Sequence, residues 1–316
     1  MKNRLLYLLC FVSFSVSSQI YSFKTFSEDD GLSQSFINDI NQDRRGFLFI
    51  ATGNGLTCYG GTQFKIFTAD DGLANNFITS IYCDHENKVW LGHLEGGVSV
   101  LHPDGKKESV KFKEEIGSKI IQIIEIATNK YIFLKNNTGI ILYDEGTKSY
   151  VNIESESFNE ALSLLVNKDE LFILKSDGIY TIKIKNLLSK NYTLKRKAEL
   201  KDAALMKLSL SGENIIVADN YSGLLVFNAD DKLTPLDTFK ISKNDGSNYT
   251  KLIADRFSNI YLATTDNGLY KINIKSGISF NYTTKNGLNS NAVQSVFVDR
   301  EDNLWIGTYG NGLQQL

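Results

Sequence analysis

Four aspartates stand at matching places along the chain. Asp43, Asp84, Asp255 and Asp299 each close a short apolar run, and Gly46, Asn87, Asn259 and Asn303 follow within three or four residues. Carboxylates in such a series could ligate calcium or serve as paired acid and base. An EF-hand type loop needs a glycine inside it and a glutamate at its end. Asp299-Arg300-Glu301-Asp302-Asn303 lacks both. Recurrence in every well-kept copy favours a structural job, an Asx turn in which the carboxylate accepts backbone N–H groups.

Other chemistry is sparser. His93 and Glu95 form a His/carboxylate pair within one turn, where other copies carry Thr. Catalysis there would still need a nucleophile or a second carboxylate, and a solvent-facing turn is the plainer reading. Three histidines and no Cys/His cluster make a metal site an unexpected feature, and no cofactor is expected. The glycine turns at 52–55 and 308–312 lack the Gly-x-Gly-x-x-Gly spacing that cradles phosphate ahead of a helix. Ligand-binding candidates are the turn residues that differ between copies, namely Asn75, Asn76, His93, Glu95, Asn136, Asp177, Tyr221, Asp266, Tyr309 and Asn311. Binding residues favour loops on a rigid scaffold.

The elements that must carry these residues follow from a repeat. Gly287 to Leu313 has near copies at Gly31 to Leu56 and Gly72 to Val98. A glycine followed by an apolar residue recurs at Gly55, Gly97, Gly139, Gly178, Gly223, Gly268 and Gly312, at intervals of 42, 42, 39, 45, 45 and 44 residues. A bulky apolar residue keeps step six or seven positions earlier: Phe49, Trp90, Ile132, Phe172, Ile216, Tyr261 and Trp305. These bulky residues are expected to pack between neighbouring units, with aromatic ligand platforms as the alternative for Trp90 and Trp305.

Within the first unit, strands are expected at Ile37–Asn41, Phe47–Ala51, Leu56–Tyr59 and Phe64–Phe67. A period of about 40–45 residues holding four strands is the mark of a propeller blade. The predicted fold is all-β, a seven-bladed β-propeller of four-stranded blades. The last unit ends one strand short, while Tyr21–Phe26 stands as an orphan strand before the first. The N-terminal strand is therefore expected to complete the last blade and close the ring, pairing edges that would otherwise be exposed. Lys185–Lys197 fits no strand pattern and reads as an extended loop between the fourth and fifth units, with one helical turn as an option.

Composition narrows the class. The 316 residues are 42% hydrophobic and 22% charged, with a net charge of -2 and two prolines. Nucleic-acid binding needs a clustered positive field, and the longest basic run is Lys195-Arg196-Lys197. Residues 1–18 read as a secretory signal peptide, with Lys2 and Arg4 before an apolar run from Leu5 to Val16. That run is short of the roughly 20 residues needed to span a bilayer, although an N-terminal anchor is the alternative, and no later stretch reads as a membrane span. Residues 19–316 are then the propeller of an exported protein, periplasmic or on the cell surface. Cys58 and Cys83 remain after cleavage. Free buried thiols are the commoner state in such strands, although an exported protein could pair them.

The repeat, best seen at 286–313, 71–98 and 30–56 as D-G-L, an apolar strand, an Asp-headed turn, W/F-I/L-G/A-T and a closing Gly-Leu, resembles the two-component regulator propeller repeat. The four middle units keep the Gly-apolar end and lose most of the rest. The resemblance implies the exported sensor region of a bacterial histidine kinase, often a hybrid one. In such proteins the propellers precede a β-sandwich, a membrane helix and kinase domains. The chain ends within its last blade, so both a sensing portion of a longer product and a stand-alone propeller stay open. The expected function is non-catalytic ligand sensing, with a glycan fragment or another small molecule as ligand and a protein partner or homodimer as the reader. An exported protein-interaction scaffold in a surface or secretion assembly is the alternative. A propeller lyase or glycosidase ranks last, because two carboxylates about 5–10 Å apart do not stand out from the turn aspartates.

Overall fold

Short strands broken by turns every 8–12 residues or so bury their apolar faces only by stacking, sheet on sheet. The computed structural model describes residues 21–208, 214–230, 232–241 and 247–316. The expected signal peptide at 1–18 lies outside them. Seven four-stranded antiparallel sheets form a seven-bladed β-propeller. Their inner strands are Ile37–Gln42, Ile78–Cys83, Ile120–Ala127, Ser163–Asn167, Ala203–Leu208, Tyr249–Ala254 and Val293–Val298. Their outer strands are Phe64–Phe67, Lys107–Ser109, Ser149–Ile153, Lys195–Glu199, Pro235–Phe239, Ser279–Tyr282 and, from the other end of the chain, Lys24–Phe26.

Burial follows position in the blade. The second strands Leu48–Thr52, Val89–His93 and Leu304–Thr308 are buried at every residue, because a neighbouring blade covers each face. Outer strands such as Pro235–Phe239 are mostly exposed. The core is accordingly seven separate clusters, one between each pair of adjacent blades, and each takes one member of the predicted bulky series. Trp90 fills the gap to the third blade against Tyr131, their ring centroids 4.1 Å apart. Trp305 does the same between the last blade and the first, stacked on Phe26 at 5.8 Å.

The Gly-apolar series has a sharper cause than turn freedom. At Gly55, φ is 115° and an added Cβ would sit 2.6 Å from the carbonyl oxygen of Phe67 in the outer strand. Gly178 has no left-handed φ, yet its Cβ would meet the Ala198 carbonyl at 2.4 Å. Close approach of the outer strand is thus the shared requirement, with Gly97, beside Ala74, as the departure.

Closure is as expected. Lys24, Thr25 and Phe26 pair with Gln315, Gln314 and Leu313. Tyr21 N–H adds a bond to the Asn286 carbonyl at 3.1 Å, and Tyr21 and Phe23 pack on Tyr282. The Lys185–Lys197 expectation is corrected. The stretch lies inside the fourth blade and not between blades: a helical turn at Ile184–Leu188 leads into the outer strand Lys195–Glu199, which pairs Thr181 with Lys195. Its charges masked it, since an outer edge strand needs no apolar alternation. Cys58 and Cys83 are free thiols in the cluster between the first two blades. Burial, with Asp43 nearby, pushes the Cys58 thiol up to about 11.

Phe26 is 5% exposed and touches Tyr59, Phe64 and Trp305. Phe26→Ala should therefore cost about 3–4 kcal/mol in urea unfolding. Removing residues 21–26 should lower the melting temperature or drive association through the bared edge of Leu313–Gln315. A monomer of unchanged melting temperature would refute the closure.

Candidate functional site

The recurrent aspartates resolve into architecture. In each case one carboxylate oxygen accepts two backbone N–H groups of its own turn. Asp43 Oδ1 takes Arg45 and Phe47 at 2.9 and 3.0 Å, and Asp84 Oδ1 takes Glu86 and Lys88, both at 2.9 Å. Asp255 Oδ1 takes Phe257 and Asn259 at 2.8 and 2.9 Å, and Asp299 Oδ1 takes Glu301 and Asn303 at 3.0 and 2.7 Å. The second oxygen has a job that the sequence reading missed. In three of the four it receives the ring donor six residues later: Trp90 Nε1 on Asp84 at 2.9 Å, Trp305 Nε1 on Asp299 at 2.7 Å, and Tyr261 OH on Asp255 at 3.3 Å. Asp43 Oδ2, with Phe49 at the ring position, accepts Arg45 Nε at 2.8 Å. Asp84 Oδ2 also accepts Tyr131 OH of the next blade at 3.0 Å. The spacing Asp-x5-Trp/Tyr was the available signal. Among the described residues no group of three or more His, Cys, Asp or Glu side chains is placed to hold a metal ion.

The ten candidate residues all fall where second strands turn into third strands, or where a blade crosses to the next, hence on one face. They are spread over six blades, and the bond joining two of them is Asn75 Nδ2 to Glu95 Oε2 at 3.3 Å. Asn76 is structural: its side chain accepts Ala69 N–H at 2.7 Å, as Asn291 accepts Thr284 N–H in the last blade. Asn311 donates its backbone N–H to Thr308 Oγ1 at 3.2 Å, the same turn that Asn267 makes on Thr264. Asp177 accepts Tyr180 OH at 2.8 Å and faces Arg196 at 3.6 Å. Asn136 and Asp266 are exposed. Tyr221 is 73% exposed with Lys201 Nζ 4.3 Å above its ring, and Tyr309 is 63% exposed, set edge-on to Phe36 at 4.4 Å.

His93 and Glu95 are not a pair. Glu95 is exposed, whereas His93 is fully buried, with Nε2 at 2.8 Å from Ser99 Oγ and Nδ1 without a hydrogen-bond partner. It occupies the place where Thr52, Thr264 and Thr308 clamp their turns by donating to the carbonyls of Gly55, Gly268 and Gly312. Burial pulls its pKa down from 6.5 to about 4, with the main chain of Phe77 and Asn75 opposing only in part.

Two cavities follow the inner strands. A cavity of about 310 Å³ runs down the channel between inner strands, past Asn41, Ser80, Gln122 and Leu164. A second, of about 510 Å³, opens at the opposite end of the inner strands from the ten candidates. The sixth, seventh and first blades build it, with Ile253 and Phe297 as apolar walls and Arg256, Arg300 and Asp302 among the residues of its turns. Asp39 and Lys251 line both spaces and meet at 2.6 Å, an ion pair between non-adjacent blades. Arg256 pairs with Asp302, and the Arg300 guanidinium donates to the Arg44 carbonyl. None of the ten candidates lines either space.

Two outcomes test these assignments. Asp84→Ala strips a buried carboxylate that accepts four hydrogen bonds, and should cost about 3 kcal/mol, against under about 1 kcal/mol for the exposed turn residue in Asp104→Ala. For His93 the folded state takes its proton near pH 4 and the unfolded state near 6.5. The unfolded state is thus the better proton binder in between, so stability falls as pH drops from 6.5 to 4, by roughly 3 kcal/mol in all. His93→Gln should remove that share of the acid sensitivity in pH-resolved urea melts.

Comparison with known proteins follows the same lines. The model of the two component regulator propeller family matches residues 72–94 and 287–310. No curated protein matches the chain. Among solved structures, the extracellular domain of BT3049, assigned to a hybrid two-component system of B. thetaiotaomicron, superposes with a TM-score of 0.73 at 18% identity over 93% of this chain and 41% of that one. PorZ, a surface component of the type-IX secretion system of Porphyromonas gingivalis, gives 0.67 at 15% over 93% and 38%. Virginiamycin B lyase from Staphylococcus aureus gives 0.71 at 10% over 93% and 97%. At these identities the likeness is one of fold, and the chain spans about two-fifths of the first two. The match to the two component regulator propeller model thus falls on the second and seventh blades of a single ring of seven.

Proposed function

We propose that this propeller is a non-catalytic recognition domain acting outside the cytoplasm, in the sensor region of a two-component signalling system. The observation that carries the reading is the family match in the second and seventh blades, in a fold like that of extracellular domains of such systems. Residues 1–18 act as the export signal in this reading, and the mature chain faces the periplasm or the cell exterior. The ligand is a glycan fragment or a comparable small molecule. Two places can receive it. On the loop face, Tyr221 and Tyr309 offer exposed rings, and Glu95, Asn136 and Asp266 offer polar groups. At the opposite end, the 510 Å³ cavity offers apolar walls with guanidinium and carboxylate groups, the mixture that small-molecule sites use. Binding signals only if it favours one of two states of packing or dimer geometry.

A second reading has its own support. The fold likeness to PorZ favours an exported scaffold that holds a protein partner. A hydrolytic or lyase activity has less: the aspartates that could supply acid and base are committed to turn N–H groups and ring donors.

Thermal-shift screening against an oligosaccharide panel, with product analysis, separates these readings. The sensor reading expects one glycan to raise the melting temperature without turnover. Tyr309→Ala or Tyr221→Ala should weaken that response about tenfold if the loop face binds, and Arg256→Ala or Arg300→Ala if the cavity does. Hydrolysis or elimination products would sink the non-catalytic reading. A defined copurifying protein, with no small-molecule response, would move the assignment to the scaffold.

A further inference from the structure

The fourth blade breaks the symmetry of the ring at its outer edge. From Lys183 to Lys197 the chain carries six cations and no acidic residue, in a protein whose net charge is -2. The fold gathers them. The helical turn Ile184–Leu188 follows the third strand directly, and the outer strand returns alongside with Lys195 opposite Thr181. Half of this charge is compensated locally: Lys183 faces Asp169 and Glu170 at 3.1 and 3.4 Å, Lys197 faces Glu170 at 3.9 Å, and Arg196 faces Asp177 at 3.6 Å. Lys185, Lys190 and Lys195 are exposed and make no ion pair among the described residues.

Protection of an edge strand is the first explanation for such lysines, and it is insufficient. The other six outer strands together carry only Lys24, Lys65 and Lys107. Lys185 and Lys190 lie outside any strand. The segment is also held in place. Ile184 and Leu187 are buried in the cluster between the third and fourth blades, Tyr192 packs there on Phe158 at 6.2 Å, and Ser157 Oγ donates to the Tyr192 carbonyl at 2.9 Å. With that inner side anchored, Leu188 is left 37% exposed among the free lysines.

We propose that this edge docks onto an anionic lipid bilayer, with Lys185, Lys190 and Lys195 as its electrostatic contacts and Leu188 as its apolar one. All three uncompensated cations are lysines, point charges on flexible stems that suit a diffuse negative field better than bidentate recognition of one carboxylate. Basic residues beside an exposed apolar side chain are the ordinary composition of a surface that rests on lipid headgroups. This edge lies on the rim of the fourth blade, apart from the channel, so the proposal does not depend on which ligand the propeller takes.

Sedimentation of the mature chain with vesicles tests the proposal. Phosphatidylcholine vesicles holding about one-third phosphatidylglycerol should bind at low salt and release the protein near 0.5 M salt, while pure phosphatidylcholine should not bind. K185E/K190E/K195E should lose about a hundredfold in partitioning, and Leu188→Asp several-fold. The control K65E/K275E/K285E, with the same charge change on other blades, should stay within about twofold. Equal binding to neutral vesicles, an equal loss in the control, or no binding at low salt would overturn the proposal. Capture by dextran sulfate, with none by vesicles, would reject the lipid surface.

Discussion

No backbone ladder joins one blade to the next, so side chains carry most of the hold between blades. Main-chain contacts such as the Phe36–Tyr309 bridge and Gly312 N–H on the Ser35 carbonyl at 3.1 Å add to it where the last blade meets the first. Seven sheets stand apart as hydrogen-bonded units, and each inner strand presents its remaining backbone groups toward the channel or a neighbour. Buried backbone groups need partners, and here polar side chains of the adjoining inner strand supply them. A residue is skipped in the pairing just after the first position of the inner strand in every blade except the fourth. The extra residue of such a bulge turns its side chain out of the ladder. In three of these blades it donates to the carbonyl that opens the next inner strand: Asn38 to Ile78 at 2.8 Å, Thr79 to Ile120 at 2.6 Å, and Thr250 to Val293 at 2.6 Å. Gln122 serves the third blade by bonding both main-chain groups of Leu164, and Asp39 Oδ2 accepts Ile81 N–H.

The same constraint accounts for the polar lining of the channel. Asn38, Asp39, Thr79, Gln122 and Thr250 could pass for a constellation if only their types and location were considered. Their polar atoms are already spent on neighbouring backbone. Asp39 is the extreme case, since it accepts Ile40 and Ile81 N–H groups and Lys251 Nζ together. The turn aspartates follow the same logic one strand farther out, where a single carboxylate both shapes a turn and fixes the ring that fills the gap to the next blade. Polar residues thus do in this ring what a continuous apolar core does elsewhere, and they set blade spacing as well as strand ends.

Much of this was legible from the residues in order. The Gly-apolar series and the bulky series mark positions that every blade needs, the close approach of an outer strand and the filling of an interblade gap, so they survive even where the rest of the repeat has decayed. The orphan strand at Tyr21–Phe26 was legible because the last unit lacked a fourth strand. The bulges and their donors were not, because Asn, Thr and Gln at the start of a strand carry no periodic signal. Lys185–Lys197 was misread because a solvated outer strand owes its place to pairing with Gly178–Lys183 and not to a pattern of its own. His93 looked like half of a turn-borne pair. Its position at the end of a wholly buried strand was recoverable from the Thr residues at the same place in other copies, which are buried too.

Division of labour among the blades follows from these contacts. The first, second and seventh blades keep the repeat most fully, and they also hold the closure and the Asp-to-Trp bonds of Asp84 and Asp299. They carry the mechanical continuity of the ring. Blades three to five are released from the Gly-Leu loop and the Asp-headed turn, and the fourth uses that freedom to insert a helical turn and a basic edge. Individuality therefore accumulates where closure makes no demand: at the unlike turns of the middle blades and on the rim of the fourth blade. A ring held by local side-chain contacts between neighbours can tolerate such divergence in one blade without loosening another, because each interblade cluster is closed within two blades.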